Sequence, residues 1–301
     1  MRATIIAKPG DIRVENVPDP EIVQPTDAIL RIVATCVCGS DLRDYRGINP
    51  VDEPHPIGHE YLGVVEEVGG EVASIKPGQF VIGSFFASDN TCPNCHAGYH
   101  TSCLHREFVD GAQAEYLRVP LADGTLVALP EVPHEEQVAS LLACSDVMGT
   151  GWYAAVAAEV NPGVTVAVVG DGAVVTERGE EGITRIRELT EGVGADSVLE
   201  CVGTAESMRQ ALRSTRPGGN VGFVGVPHDV QIDGQELFYS HVALRGGPAP
   251  VRAFLRELID HVLAGRINPG KVFDLTLPLD EAAEAYRAMD ERRAIKVLLR
   301  P

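Results

Sequence analysis

Gly58-His59-Glu60-Tyr61-Leu62-Gly63-Val64-Val65-Glu66-Glu67-Val68-Gly69 is the stretch on which the reading of this chain turns. It joins an imidazole to a carboxylate, then enters a Val/Glu alternation spaced by glycines, the pattern of a strand with one face in a core. Roughly twenty residues upstream, Cys36-Val37-Cys38-Gly39-Ser40-Asp41 supplies a thiolate, a hydroxyl and a second carboxylate. Thiolate and imidazole are favoured zinc ligands, and a catalytic zinc takes about three protein ligands while keeping one position open.

At this separation the two motifs resemble the zinc-containing medium-chain alcohol dehydrogenase family, and the resemblance covers nearly the whole chain. It implies that Cys38 and His59 hold a catalytic zinc. It places the third ligand five residues before the glycine matching Gly151, on Asp146 in Cys144-Ser145-Asp146-Val147-Met148-Gly149-Thr150-Gly151. Cys144 is the competing candidate. Glu60 stands beside or behind the metal, as an occasional fourth ligand of the family. Asp41 suits a carboxylate that fixes the His59 ring by accepting its other N–H. Ser40 would take the alcohol's proton while hydride passes to nicotinamide. Many relatives send that proton to a histidine three residues after the hydroxyl. Arg43 fills this position here, so the relay is broken or runs through water. Cys36 reads as a packing residue.

A second cluster follows at Asp89-Asn90-Thr91-Cys92-Pro93-Asn94-Cys95 and Cys103. It resembles the family's structural zinc loop, which normally holds four cysteines. The first of those positions falls on Asp89, and carboxylate oxygen is an acceptable zinc ligand. His96, His100 and His105 compete with Asp89 for the fourth place. Three reduced cysteines without metal is the alternative.

The 301 residues suffice for two domains, each with its own core. A formal net charge of −18 repels phosphate backbones, so no nucleic-acid partner is expected. No apolar run approaches the roughly 20 residues that cross a bilayer, so no membrane partner is expected. Met1 to Lys8 reads as a first strand and lacks the features of a signal peptide, which points to the cytoplasm. Seven cysteines, three of them crowded between Cys92 and Cys103, favour metal over disulfides there.

Residues 1 to about 130 alternate short apolar runs with Gly and Pro, as β-rich domains do. Helical patterns follow from Glu135 to Leu142 and from Gly151 to Glu159. The run Gly163 to Val169 then ends in Gly170-Asp171-Gly172-Ala173-Val174-Val175, the first strand and glycine turn of a doubly wound sheet. The turn begins as G-x-G-x-x-G and fails at its last glycine. Strands are expected at Asp196 to Cys201, Asn220 to Val226 and Val242 to Arg245, with helices at Glu181 to Thr190 and Ser207 to Thr215. This alternation argues for a parallel sheet. Helices from Arg252 to Leu263 and Ala282 to Met289 precede a closing strand, Lys296 to Leu299.

By comparison with the family, roughly 40 residues are missing after Val175: the phosphate-facing helix, the ribose-binding strand and the next helix. The strand Val164 to Val169 would then expose an apolar edge. The adenosine half of a dinucleotide site would be largely gone, while the nicotinamide half near Val174, Gly203 and Val224 would persist. Glu177 reads as a surface charge in an acidic segment rather than a substitute ribose ligand.

The expected fold is therefore a GroES-like β-rich catalytic domain, residues 1–147 and 248–301. Inserted in it is a truncated Rossmann-type doubly wound parallel sheet, residues 148–247. The function implied is a zinc-dependent alcohol or polyol dehydrogenase using NAD or NADP, with catalytic and structural Zn²⁺. Its partner is a small-molecule alcohol, aldehyde or ketone, and it forms a homo-oligomer, dimer or tetramer. The alternative is a zinc-binding remnant unable to bind the dinucleotide. Trp152 offers either a pocket wall or an ordinary core role.

Overall fold

The strand Ala28–Cys36 is the axis of the first unit, and all but two of its residues are buried. Tyr61–Val68 pairs antiparallel along one side of it, and the other side is shared by Tyr116–Val119 and Val297–Arg300. Phe80–Gly83 and Leu126–Ala128 extend this sheet at one edge, and Leu275–Pro278 extends it at the other. A separate three-stranded sheet joins Asp11–Asn16, Arg2–Lys8 and His55–Pro56. One core gathers Leu30, Tyr61, Val65, Val81, Leu117 and Leu126. A second gathers Ile6, Val37, Leu42, Tyr286, Val297 and Leu299, with Tyr286 delivered by the helix Ala282–Asp290.

The register of the axial strand places the chemistry. Thr35 lies opposite Tyr61 and Cys36 opposite Leu298. One step on, the Val37 amide donates to the Val297 carbonyl at 3.1 Å. The segments just before the two neighbouring strands, His59-Glu60 and Lys296, are thereby drawn to Cys38. Gly58 permits the approach: its φ of +103° is left-handed, and a Cβ there would meet the Gln113 side chain.

The computed structural model describes residues 1–170 and 175–301. It divides into Met1–Gly149 with Pro250–Pro301, and Thr150–Ala249. The second unit is a four-stranded parallel sheet in the order Val166–Val169, Ala195–Glu200, Thr215–Phe223, Ala243–Gly246. The helices Gly179–Leu189 and Ala205–Ser214 pack on each other, and Met208, Ala211 and Leu212 of the latter close over Val169, Val198 and Val221. Ala154 and Ala158 meet Leu199 in a smaller cluster.

Boundaries differ from the sequence expectation where glycine was read as an end. The first parallel strand begins at Val166 rather than Gly163, whose φ of +91° makes it part of the preceding turn. The third runs from Thr215 through Pro217-Gly218-Gly219 to Phe223, earlier at both ends than Asn220 to Val226. Among the described residues nothing pairs with the outer side of Val166–Val169, where Val168 is 60% exposed.

Candidate metal centres

Ligand atoms of Cys38, His59, Glu60 and Asp146 all lie within 4.8 Å of one another. Cys38 Sγ is 3.6 Å and His59 Nε2 3.3 Å from Asp146 Oδ2. Tetrahedral ligands bonded to zinc at about 2.0–2.3 Å stand about 3.3–3.7 Å apart, so these atoms are spaced for one ion. Cys144, the rival third ligand, is turned away: its thiol donates to the Ser140 carbonyl at 3.3 Å, and burial pushes it up to about 12. Cys36 is fully buried beside the site and does not join the ligand set.

The surrounding shell orients these donors. Asp41 Oδ1 faces His59 Nδ1 at 3.2 Å, leaving Nε2 for the metal. Its other oxygen accepts from the Cys38 amide at 2.9 Å and from Gln113 Nε2 at 3.2 Å. Gln113 in turn exchanges hydrogen bonds with Tyr286. Burial opposes a charged His59, but Asp41 and Asp146 hold its pKa well above the usual histidine value. Zinc must therefore displace a proton to enter. Losing the Asp41 charge should be felt at the metal: Asp41→Asn is expected to weaken zinc binding about 10- to 100-fold in a chelator competition. Unchanged affinity would show that Asp41 does not position His59.

Glu60 lies between metal ligand and ion pair. Lys296 Nζ meets its Oε1 at 2.6 Å and donates to the Val37 carbonyl at 3.2 Å, all three groups being buried. The other carboxylate oxygen, Oε2, is buried without a hydrogen-bond partner among the described residues. An orphaned acceptor within a thiolate–imidazole–carboxylate set is what a cation would satisfy. Sequence reasoning passed over Lys296 as strand filler; the available signal was one lysine opening an otherwise apolar strand. It also passed over Phe85 and Phe108, whose ring centroids lie 6.1 and 5.6 Å from that of His59. Ser40 Oγ stands 3.5 Å from His59 Nε2, beside the metal position.

In the second cluster Asp89, Cys92, Cys95 and Cys103 likewise converge within 4.8 Å. Asp89 Oδ1 is 3.5 Å from Cys95 Sγ and 3.3 Å from Cys103 Sγ, and the Cys92 and Cys95 sulfurs are 3.5 Å apart. Cys92 begins the short helix Pro93–His96. Backbone hydrogen bonds, that to Leu104 foremost, bring its thiol down to about 7. His105 does not displace Asp89 but pairs with its other oxygen, Nδ1 to Oδ2 at 2.6 Å, while His96 and His100 stay outside the set. Four buried or half-buried donors closed on themselves suit a structural ion.

Comparisons with known proteins agree with this chemistry. Residues 24–131 match the family model for the alcohol dehydrogenase GroES-like domain, and residues 155–263 match that for zinc-binding dehydrogenases. A probable zinc-binding alcohol dehydrogenase of Mycobacterium tuberculosis is 34% identical, the match spanning all of this chain and 89% of the relative. The chain belongs to the zinc-containing medium-chain alcohol dehydrogenase family. It is similar also to zinc-type alcohol dehydrogenase B of Aspergillus flavus, 30% identical over all of this chain and 81% of the relative. Among solved structures, alcohol dehydrogenase TADH from Thermus sp. ATN1 superposes with a TM-score of 0.90 at 29% identity, covering 100% of this chain and 99% of that one. This dehydrogenase is accordingly an oxidoreductase that works with zinc and a nicotinamide cofactor. The alignment with the mycobacterial relative runs over 345 positions, exceeding the chain's 301 residues by 44, so that relative carries residues with no counterpart here.

The residues present fit zinc at both clusters. For the nicotinamide cofactor they fit in part. Gly203 sits after the strand Ala195–Glu200 with φ +86°, and a Cβ would collide with the Val226 carbonyl. The Glu200 carboxylate accepts from the amides of Val202 at 2.9 Å and Gly203 at 2.7 Å, and from Ser207 Oγ at 2.7 Å. The Val224 amide donates to the Glu200 carbonyl at 2.9 Å. These hydrogen bonds tie together the carboxyl ends of the two strands, where open α/β sheets bind ligands. Gly170 ends the first strand; Gly172 and Val174 lie outside the described residues.

Proposed function

We propose that Cys38, His59 and Asp146 hold the catalytic zinc of a dehydrogenase acting on small alcohols or polyols and on the matching aldehydes or ketones. The observation that carries this reading is the spacing of these three donors, with Ser40 and an unpartnered Glu60 oxygen beside them. Zinc bound there would acidify the alcohol hydroxyl as a Lewis acid, and a nicotinamide ring would accept the hydride. Ser40 Oγ receives the hydroxyl proton and passes it to water, since Arg43 offers no imidazole relay. Asp41 keeps His59 in one tautomer. Phe85 and Phe108 give the site an apolar wall that keeps bulk water off the reacting carbon. Asp89, Cys92, Cys95 and Cys103 hold the second zinc and fix their loop.

Zinc-loaded protein should reduce the nicotinamide cofactor with some member of a panel of primary, secondary and polyhydric alcohols, and chelated protein should not. Equal rates with and without metal would end this reading. Ser40→Ala should lower kcat about 100-fold at unchanged zinc content, because general acid–base help of this kind contributes about 10²–10⁴. A kcat within threefold of the parent would remove Ser40 from the proton path.

Two broader features belong to the same proposal. Seven unpaired cysteines suit the reducing cytoplasm. A homo-oligomer is supported by Phe238 and Tyr239, 74% and 71% exposed on the helix Gly234–Ser240, an apolar pair that a partner copy would cover. Light scattering on purified protein checks it. No helix among the described residues is long and apolar enough to cross a membrane.

A further inference from the structure

We infer that this chain recognises only the nicotinamide mononucleotide half of its cofactor, and that the adenosine and second phosphate add nothing to its binding. This rests on the dehydrogenase reading above and concerns how that enzyme selects its hydride carrier. Doubly wound dinucleotide folds bind the two nucleotide halves on either side of their first strand, and each half needs its own strands. Here three strands lie to one side of Val166–Val169 and none of the described residues pairs on the other. The 25 residues between Val169 and Ala195 hold one helix, Gly179–Leu189, where a further βαβ unit would need more than about 30. The four residues outside the described set, 171–174, are too few to make up a strand–helix–strand unit.

Two features that an adenosine diphosphate moiety requires are consequently missing or altered. A ribose-gripping acid is expected about 20 residues past the glycine turn, at the carboxyl end of a second strand. The acids at that distance, Glu188 and Glu191, lie before Ala195, at the amino end of the sheet, and a six-residue strand places them about 20 Å from the carboxyl edge. A diphosphate is expected at a helix N-terminus. The helix that follows the turn instead carries Glu180 and Glu181 in its first turn, with Glu177 just ahead. Glu180 is paired with Arg213 at 2.6 Å, so Glu177 and Glu181, beside the N-cap Arg178, offset the positive end of the helix dipole that a phosphate would use. Finally, adenine needs an apolar slot. A cavity of about 640 Å³ runs along the first strand, walled by Val166, Val168, Ile186 and Leu189. Val168 is 60% exposed there, so an apolar slot remains along this strand, and adenosine binding in it would overturn the inference. By contrast, on the nicotinamide side, Glu200 Oε1 accepts from Val202, Gly203 and Ser207, while its other oxygen, Oε2, is buried without a partner among the described residues.

The test compares NADH, NADPH and reduced nicotinamide mononucleotide by fluorescence titration of the zinc-loaded chain, with 5′-AMP as competitor. All three should bind within about threefold of one another, and AMP at millimolar concentration should displace none of them. NADH binding tenfold or more tighter than the mononucleotide, or displaced by AMP, would overturn the inference. In that case Glu177→Gln, on the cavity rim, should erase the NADH advantage and identify the cavity as a rebuilt adenosine site. Failure of every reduced nicotinamide to bind, together with no turnover on any alcohol, would overturn the dehydrogenase reading and this inference with it. Binding that follows the first pattern without turnover would leave the inference standing and remove only the assignment of zinc-site roles.

Discussion

Replacing Cys38 by alanine should lower kcat/KM for alcohol oxidation at least about 1,000-fold and lower the zinc content by one ion per chain. The thiolate is the softest donor of its set and the only one supplied by the segment that ends the axial strand. Without it, His59 and Asp146 remain at 3.3 Å with only the Lys296-paired Glu60 beside them, a set that lacks its thiolate and holds zinc less tightly. A Lewis acid supplies several kcal/mol of transition-state stabilisation, and about 1.36 kcal/mol is worth tenfold in rate, so its loss accounts for three decades or more. Cys144→Ala and Cys36→Ala are the matched controls, since both thiols are buried nearby and outside the ligand set. Both should keep two zinc ions. A Cys38→Ala protein with full zinc content by elemental analysis and activity within tenfold of the parent would sink the assignment.

Removing Lys296 should have the largest effect on stability, about 3–5 kcal/mol for Lys296→Ala by denaturant unfolding of the zinc-loaded protein. Glu60 is fully buried, and its Oε1 depends on the ammonium 2.6 Å away. Burial works against the Lys296 charge, yet Cys36, Glu60 and Cys38 hold its pKa well above the usual lysine value. Deleting the cation leaves Glu60 Oε1 in a dry core without its partner, and such a penalty exceeds the worth of the pair itself. The double variant Lys296→Met with Glu60→Gln removes both charges and should recover more than half of the loss. A single-variant cost under about 1 kcal/mol would mean that Glu60 is held neutral or satisfied by the metal instead.

The metal chemistry was legible because it is written in residue type and spacing. Cys38 and His59 lie in motifs whose glycines are fixed by backbone geometry, as Gly58 shows, and the structure brings both to Asp146. The choice between Asp146 and Cys144 was open in the sequence because both precede the helix Val147–Ala157 by a few residues; only the turn of the chain there decides which side chain faces His59. Lys296, Gln113 and Tyr286 were not legible, since each reaches the site through long-range pairing, Lys296 from the segment just before the strand Val297–Arg300, 236 residues after Glu60. The four parallel strands were legible from their apolar runs, and their alternation with helices gave the parallel pairing. Their ends were missed where Gly163 and Gly218 sit, because glycine serves equally as a turn and as an extended residue.

The strand Val297–Arg300 is flanked by Ala28–Cys36 and Leu275–Pro278, so the sheet that carries the candidate zinc ligands is completed by residues far downstream of its axial strand. During translation at roughly 5–20 residues per second, about ten to thirty seconds separate the emergence of Gly149 from that of this strand. The inserted Thr150–Ala249 segment can acquire its structure in that interval, while the catalytic half waits on the ribosome with Glu60 still lacking its cation. Assembly of the candidate metal site therefore waits for Lys296 to emerge, and nascent chains halted before Lys296 should not yet retain zinc there.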